Sequence, residues 1–221
     1  SLIGKFDADK ISFEIGIGSD FFVELSKVRT LKWLWQHILL KNDITVPNTF
    51  ILGRTGWTNK SLKDPDTNIL RQTTEAISGI SGGVTSILIH SSHTYSIESD
   101  NWFYKRLALN ISHILKEESY LSKVNDPMRG AYIIEKMTLV LIQKCWTQFL
   151  KFTAIETRSS IVELLKESVD KTRTKKLTAF KEGKHELIGI NLFQNKIEQK
   201  NTWSKVPKYL NFSYLIFEKE V

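Results

Sequence analysis

Two adjacent carboxylates, Glu117 and Glu118, end a helical pattern in the stretch KEESYLSKVNDPMRGAYIIEKMT. A short polar segment and the pair Asp126-Pro127 follow before a new apolar period begins. Carboxylates at a helix end can face a ligand, or they can be solvated side chains that only terminate the helix. Which of the two applies depends on the elements that position them.

Three further side chains that could do chemistry lie at or just after predicted strands. Arg54 could bind an anionic group through its guanidinium, or it could order its loop by pairing with Asp64. His90 ends a strand on the side where ligands bind, although a single histidine is more often a hydrogen-bonded structural residue. Asp126 is best explained as a cap of the following turn rather than as an acid.

Strand and helix patterns alternate along the chain, which is typical of an α/β fold. Residues 12–18 alternate with period two, and residues 85–91 form an apolar run expected of a buried parallel strand. The predicted strands span residues 12–18, 49–54, 85–91, 123–126 and 186–193, and the predicted helices span about 20–40, 67–80, 100–118, 132–156 and 159–171.

Four consecutive strand–helix units imply parallel strands joined by crossover connections. In such folds the loops that follow the strands build the site. This polarity puts Glu117 and Glu118 at the opposite face and Asp126 at the functional face. Pro127 should hold the preceding aspartate in an extended geometry, and Gly130 should permit a tight turn.

The amino-acid composition indicates whether the chain folds and in which cellular compartment it is expected. The 221 residues are 41% hydrophobic and include one cysteine, so a folded protein of the reducing cytoplasm, without an internal disulfide, is expected. No signal peptide and no apolar run of membrane length is visible. Cys145 is predicted to be a small core residue. Four tryptophans on helical stripes are predicted to be core as well: Trp33, Trp35, Trp102 and Trp146.

More than half of the net charge of +7 arises between residues 166 and 185. The basic residues there are Lys166, Lys171, Arg173, Lys175, Lys176, Lys181 and Lys184, against Glu167, Asp170 and Glu182. Such a cluster can bind nucleic acid or another polyanion. We favour the solvated face of a helix, because no aromatic residues are interleaved with the lysines to stack on bases.

Several spaced motifs resemble the barrel domain of the adenosylcobalamin-dependent acyl-CoA mutases, above all methylmalonyl-CoA mutase. SFEIGIGSDFFVELSKVRTLKWLW is similar to a strand and helix of the family, and DPDTNILRQTTEAISGISGGVTSI is similar to its Asp-Pro, Asn and Gly-Gly pattern. LALNISHILKEESYLSKVNDPMRGAYIIEKMT has Leu-x-x-Glu-Glu-Ser, Asp-Pro and Gly-x-Tyr-x-x-Glu at the family spacing. GINLF is similar to a motif near the end of the barrel, so the resemblance runs from about residue 11 to 193.

The resemblance implies part of a (β/α)8 TIM barrel and a role in the radical isomerisation of methylmalonyl-CoA to succinyl-CoA. Glu118 matches a family residue near the adenosyl group of the cofactor. That role conflicts with a place on the far face, unless the chain loops back over the barrel mouth. By the same resemblance, Arg54 could meet a phosphate of CoA.

Departures from the family pattern resemble its small, non-catalytic subunits. The stretch GRTGWTNK is closer to the loop of those subunits than to the Gln-Thr-Ser-Gly-Trp loop of catalytic ones. The cobalamin-binding Asp-x-His-x-x-Gly is absent from the sequence. We therefore expect no catalytic or metal-binding residue and no adenosylcobalamin bound by this chain alone. Residues 1–156 would form four βα units, or half a barrel, and residues 157–221 a helix, strand and tail that pack on it.

The expected partner is the catalytic large subunit in a cytoplasmic heterodimer, with an acyl-CoA as the substrate of the holoenzyme. A half barrel has two open sheet edges, so self-association is a further expectation. Two alternatives stay open. One is a catalytic relative that acts on another acyl-CoA, and the other is a nucleic-acid-binding module built on residues 166–184.

Overall fold

The computed structural model describes residues 8–44, 49–94, 101–155 and 157–194, together with the backbone of residues 208–209 and 212–213. Within these ranges the chain is a mixed α/β structure built on a parallel sheet of three strands. The strands are β1 (Phe13–Ile17), β2 (Ile51–Thr55) and β3 (Ser86–Leu88). They confirm the first three predicted strands.

The strands pair in their chain order, with β2 in the middle. The pairing of β1 with β2 runs from Phe13 opposite Ile51 to Ile17 opposite Thr55. Parallel neighbours need long crossover connections, which here contain helices. Because β3 is at the edge of the sheet, Leu88 is 40% exposed, and the prediction of a buried strand there is wrong.

Five helices carry most of the remaining described residues. They are α1 (Phe21–Lys41), α2 (Thr67–Gly82), α3 (Trp102–His113), α4 (Tyr132–Thr153) and α5 (Arg158–Lys181). A π turn (Ile114–Glu118) continues α3, and 3-10 turns occupy Ala8–Lys10 and Leu121–Lys123. Ser19 and Asp20 precede α1 in the sequence, and both are residue types that cap helices. The structure uses Asp20, whose carboxylate accepts from the backbone N–H of Val23 at 3.2 Å.

The two faces of the sheet have different surroundings. One face packs against α2, where a Cβ on Gly79 would lie 3.3 Å from both Ile17 and Ile87. Glycine at this position therefore lets the helix approach the strands closely. The opposite face carries Glu14 and Arg54, whose side chains are partly exposed.

A second close approach joins α1 to α2. A Cβ on Gly82 would lie 2.8 Å from the backbone oxygen of Leu25. Leu25 and Val28 of α1 are completely buried at this contact. The two crossover helices are thus packed directly on each other.

The fourth predicted strand, at residues 123–126, is wrong. These residues form the end of a 3-10 turn and a bend, and the described sheet ends at β3. Asp126 has a φ of +49° rather than the extended geometry predicted for it; aspartate tolerates this left-handed region better than most residues. Gly130 has a φ of +83°, as the predicted tight turn requires. Helix α4 then packs on α1, and Glu135 Oε1 lies 2.7 Å from Arg29 Nη2.

The last described helix is longer than predicted, since α5 reaches Lys181. The predicted strand at residues 186–193 is wrong, because these residues form turns with a single bridge between Ile188 and Leu192. Gly189 has a φ of +77°, which a regular strand does not allow. Three buried side chains form a small core at this end: Phe180, Leu187 and Ile190.

Two short strands, β4 (Lys208–Tyr209) and β5 (Phe212–Ser213), pair antiparallel near the end of the chain. The boundary predicted at residues 156 and 157 falls between α4 and α5, and the division into two parts remains a prediction. Across the described residues, every helix is too short or too polar to cross a membrane.

Candidate functional site

The candidate site lies at the carboxyl ends of the parallel strands, where the loop after β2 turns back over the sheet. The backbone N–H of Gly56 donates to Ile17 O at 2.8 Å, which fixes the start of the loop against β1. A Cβ at Gly56 would lie 3.0 Å from the same oxygen. The close approach of loop and strand therefore depends on glycine.

A fully buried ion pair holds this loop on α2. Lys60 Nζ lies 2.6 Å from Glu75 Oε1, and both side chains are completely buried. Asn59 Nδ2 donates to the same oxygen at 2.8 Å, and Asn59 Oδ1 accepts from Lys60 at 2.9 Å. The backbone N–H of Gly56 lies 3.2 Å from the second carboxylate oxygen. We refer to Asn59, Lys60 and Glu75 as the loop brace.

Lys60 and Glu75 of the loop brace are buried next to each other, so neither is expected to gain or lose a proton independently of the other. Burial raises the pKa of Glu75 and lowers the pKa of Lys60, while the charge of each opposes the shift of the other. A buried pair with its hydrogen bonds made persists as a unit, whereas a single buried charge is strongly disfavoured. This arrangement suits a structural connection better than a group that exchanges protons with a substrate.

Asn68 makes a second connection between loops. Its Oδ1 accepts from the Ser61 N–H at 2.9 Å, and its Nδ2 donates to Ser61 O at 2.7 Å and to Ser92 O at 3.1 Å. Since Ser92 follows β3, this one side chain joins the loops after two strands. Gln72 lies between Asn68 and Glu75 on the same helix and is completely buried, and no described residue hydrogen-bonds its side-chain atoms.

The aromatic contact beside the loop brace involves Trp57 and His90. Their ring centroids are 5.1 Å apart, and the backbone N–H of His90 donates to Thr55 Oγ1 at 3.1 Å. Burial lowers the pKa of His90 to about 4, and the positive charges of Arg54 and Lys60 add to this shift. The imidazole is therefore neutral at physiological pH. Its buried Nε2 has no hydrogen-bond partner among the described residues, so the ring is not the hydrogen-bonded structural residue that was expected.

Arg54 lies at the carboxyl end of β2 but does not pair with Asp64 as one interpretation predicted. Its Nε lies 2.7 Å from Glu14 Oε1 of the neighbouring strand. Asp64 instead accepts from the Thr67 hydroxyl. The guanidinium is about a third exposed, so an anion could reach it, and its role in substrate binding remains a prediction.

The two acidic candidates from the opening stretch lie elsewhere. Glu118 is exposed at the end of the π turn. Beside this turn lies a cavity at the amino-terminal end of the sheet, lined by Lys116 of the turn and by Ser86, the first residue of β3. We call this the amino-end cavity. Asp126 lines it too and binds Arg29, so its predicted place on the functional face is wrong. Without a fourth strand, this ion pair with α1 fixes the aspartate.

Several predictions about buried residues are also wrong. Cys145 is exposed, as are Trp33 at 48% and Trp102 at 69%. Trp35 and Trp146 are only half-buried. Their helical spacing was correctly interpreted, but α1, α3 and α4 each bury only part of their surface, and these side chains lie outside the buried part.

Sequence reasoning missed the loop brace. A signal was present, because Asn68, Gln72 and Glu75 recur at helical spacing on α2, which marks a polar stripe on a face that had to be buried. A lysine in the loop opposite this stripe is its natural counter-charge. Within the described ranges, no group of three or more His, Cys, Asp or Glu side chains could hold a metal ion.

The family model and the individual relatives that match this chain all belong to one family. The family model described as methylmalonyl-CoA mutase matches residues 4–211. The chain is similar to the methylmalonyl-CoA mutase small subunit of Porphyromonas gingivalis, with 32% identity over 204 residues, or 86% of this chain and 32% of that protein. It is 28% identical to the Rhizobium meliloti mutase over 198 residues, or 87% of this chain and 28% of the relative.

Similarity extends to the mitochondrial methylmalonyl-CoA mutase of Bos taurus, with 29% identity over 207 residues. That match covers 87% of this chain and 26% of the bovine protein. The chain thus spans about a third or less of the length of these curated relatives.

Proposed function

Because the chain belongs to the methylmalonyl-CoA mutase family, we propose that it is a fragment or accessory subunit of such a mutase. The holoenzyme converts methylmalonyl-CoA to succinyl-CoA by radical isomerisation. In this proposal the chain supplies scaffold and subunit interface, and the catalytic groups belong to the rest of the enzyme.

The loop brace is the observation that carries this proposal. The loop after β2 contains Lys60, whose amine could act as a base or bind an anion if it were exposed, but it is completely buried against Glu75. The nearby His90 is neutral and packed on Trp57. Catalytic acids and bases need access to a substrate and a pKa near the working pH. The buried side chains of the loop brace and Asn68 instead hold loops in place.

The architecture supports a partial (β/α)8 barrel as the underlying fold. Such barrels repeat a unit of one parallel strand followed by one helix. The described part of the chain contains three of these units in order. We propose that residues 1–156 form this part and that residues 157–221 pack on it. The contact of Arg71 of α2 with Ile188 O, beyond α5, supports that packing.

A catalytic large subunit is the proposed partner. The relative from Porphyromonas gingivalis is named a small subunit, and a small subunit has a larger counterpart. The outer edges of β1 and β3 have no neighbouring strand among the described residues, and open edges favour pairing with another chain. Self-association through the same edges is the competing outcome when the partner is absent.

Adenosylcobalamin is proposed as the cofactor of the holoenzyme and not of this chain alone. The exposed position of Glu118 supports this, because a nucleoside needs an enclosing pocket and Glu118 is absent from the residues that line the adjacent cavity. In the same proposal the partly exposed guanidinium of Arg54 contacts a phosphate of an acyl-CoA.

Activity measurements on the full chain test the proposal. We expect no conversion of methylmalonyl-CoA by the chain with adenosylcobalamin, and conversion when a mutase large subunit is added. An absorbance titration of the chain alone with adenosylcobalamin should show no spectral change. Turnover by the chain alone would contradict the proposal.

A matched pair of variants addresses Glu118 itself. If the cofactor does bind, Glu118→Gln should weaken binding and Glu117→Gln should not, since both carboxylates are exposed neighbours on one turn. Equal effects of the two variants would exclude a specific contact by Glu118.

A further inference from the structure

The amino-end cavity lies away from the candidate site and is not explained by the proposed function. It has a volume of about 1120 Å³ and opens between α1, the end of α2, the start of β3, the π turn and α4. That volume is slightly above the range of about 300–1,000 Å³ that is typical of small-molecule sites. Its location beside Gly83 and Ser86 places it at the amino-terminal end of the sheet.

The positively charged side chains that line the cavity do not all have an acidic partner within the described part of the chain. Arg29 is bound by two carboxylates, Asp126 and Glu135, and Lys116 lies 3.0 Å from the neighbouring Glu117. Lys32 is the one lining cation that makes neither a hydrogen bond nor an ion pair with any described residue. Its amine lies over Gly83, where a Cβ would approach Nζ to 2.6 Å, so glycine leaves room for it.

A buried hydroxyl supplies a second, independent sign of a ligand. Thr138 of α4 is only 7% exposed and lines the same cavity. Its Oγ1 has no hydrogen-bond partner in the described part of the chain, which is unfavourable for a buried polar atom. Rotation of the Thr138 side chain about its Cα–Cβ bond would turn this hydroxyl towards the cavity, where a ligand oxygen could accept from it and also contact Lys32.

The rest of the cavity wall is aliphatic. The side chains are those of Ile80, Val84, Ile87, Leu115, Leu139 and Ile142. A ligand with one anionic end and an aliphatic body would satisfy the cation, the hydroxyl and this wall together. Partial burial lowers the pKa of Lys32, with Asp126 opposing the shift, and a bound anion would add a second compensating charge.

We propose that the amino-end cavity binds a medium-chain aliphatic monocarboxylate, with its carboxylate on Lys32 and Thr138 and its chain on the aliphatic wall. Two carboxylates at the rim already neutralise Arg29, so they disfavour ligands with several negative charges. This inference does not depend on the proposed mutase function, because none of the residues of the loop brace lines the cavity.

Calorimetric titration of the full chain with octanoate tests the proposal, with 1-octanol as the uncharged probe. Octanoate should bind and 1-octanol should bind at least about tenfold more weakly, since a charge-assisted hydrogen bond distinguishes them. Lys32→Gln should weaken octanoate binding about tenfold or more. Lys41→Gln is the matched control and should leave the affinity unchanged, because Lys41 is an exposed lysine of the same helix that does not line the cavity.

Two further variants separate binding from folding. Thr138→Val keeps the shape of the side chain and should weaken octanoate binding without lowering the melting temperature, since the hydroxyl is unpaired in the free protein. Leu139→Trp should narrow the part of the cavity that holds the aliphatic chain and weaken octanoate binding while circular dichroism stays unchanged. Absence of octanoate binding, equal affinity for octanoate and 1-octanol, or equal affinity of wild type and Lys32→Gln would each overturn the proposal.

Discussion

The two ends of the parallel sheet are built in different ways. At the carboxyl end, the loops after β2 and β3 are held by hydrogen bonds to side chains of a single helix, α2. At the amino end, parts of four helices surround an open cavity in which Lys32 and the Thr138 hydroxyl lack partners among the described residues. At one end, side-chain hydrogen bonds hold the loops, although the buried amide of Gln72 there has no partner among the described residues. The other end has open space beside its unpaired polar groups.

Sequence separation explains part of this difference. Lys60 and Glu75 are 15 residues apart, whereas Arg29 and Asp126 are 97 residues apart. Closing a longer loop costs more conformational entropy, so the second contact depends more on the packing of the elements between its residues. The Lys60–Glu75 pair forms within one βα unit, whereas the Arg29–Asp126 pair depends on how the helices of different units pack.

The largest effect is expected at the loop brace. Glu75→Ala removes the carboxylate that compensates Lys60 and leaves an unpaired charge in a completely buried place. Breaking a buried pair in this way typically costs about 3–5 kcal/mol. The free energy of unfolding, measured by urea denaturation, should fall by that amount.

A double variant and an exposed pair provide the controls. Lys60→Met combined with Glu75→Leu removes both charges and should recover most of the lost stability. Glu117→Gln affects an exposed pair with Lys116 and should cost less than about 1 kcal/mol. If Glu75→Ala were no worse than Glu117→Gln, the loop brace would not stabilise the fold.

An intermediate loss of stability is expected for a mutation in the packed helix interface, and a smaller loss for a mutation in the cavity wall. Leu25 of α1 is completely buried between helices, whereas Leu139 lines the amino-end cavity and is 55% exposed. Leu25→Ala should lower the free energy of unfolding by about 3 kcal/mol through loss of burial and a new void. Leu139→Ala should lower it by less than about 1 kcal/mol. Similar losses for the two variants would contradict the comparison.

A smaller effect is expected from the pH dependence of stability. Burial lowers the pKa of His90 from 6.5 to about 4, so below pH 6.5 the unfolded chain binds a proton that the folded chain does not. Stability should therefore fall as the pH drops from about 6.5 towards 4. At pH 5 the loss from this histidine is about 2 kcal/mol. Urea denaturation at pH 7.5 and pH 5.0 measures it.

Replacing the histidine should remove this part of the pH dependence. His90→Phe keeps an aromatic ring against Trp57 and should reduce the difference between the two pH values. His113→Phe changes an exposed histidine at the end of α3 and should keep the wild-type difference. A His90→Phe protein with an unaltered pH dependence would show that burial of His90 does not govern acid stability.

Local patterns were sufficient for the elements that depend on local interactions. The first three strands, the capping of α1 by Asp20 and the turn at Gly130 follow from period, side-chain chemistry and φ preference. Residues 123–126 failed as a strand because pairing needs a neighbour that the segment itself cannot specify. The prediction that Cys145 is buried was wrong for a similar reason, because apolar neighbours in the sequence do not show which face of α4 is covered.

The sequence by itself determined the α/β class, the parallel order of the first three units and, through spaced motifs, the resemblance to the mutase family. These properties depend on local periodicity and on residue spacing, which are read directly from the chain. Only the tertiary structure decided that Lys60 is buried on Glu75, that Arg54 pairs with Glu14, and that Lys32 and Thr138 share a cavity. Each of these depends on distances between elements, which are set by how helices pack on the sheet and not by the local pattern of either partner.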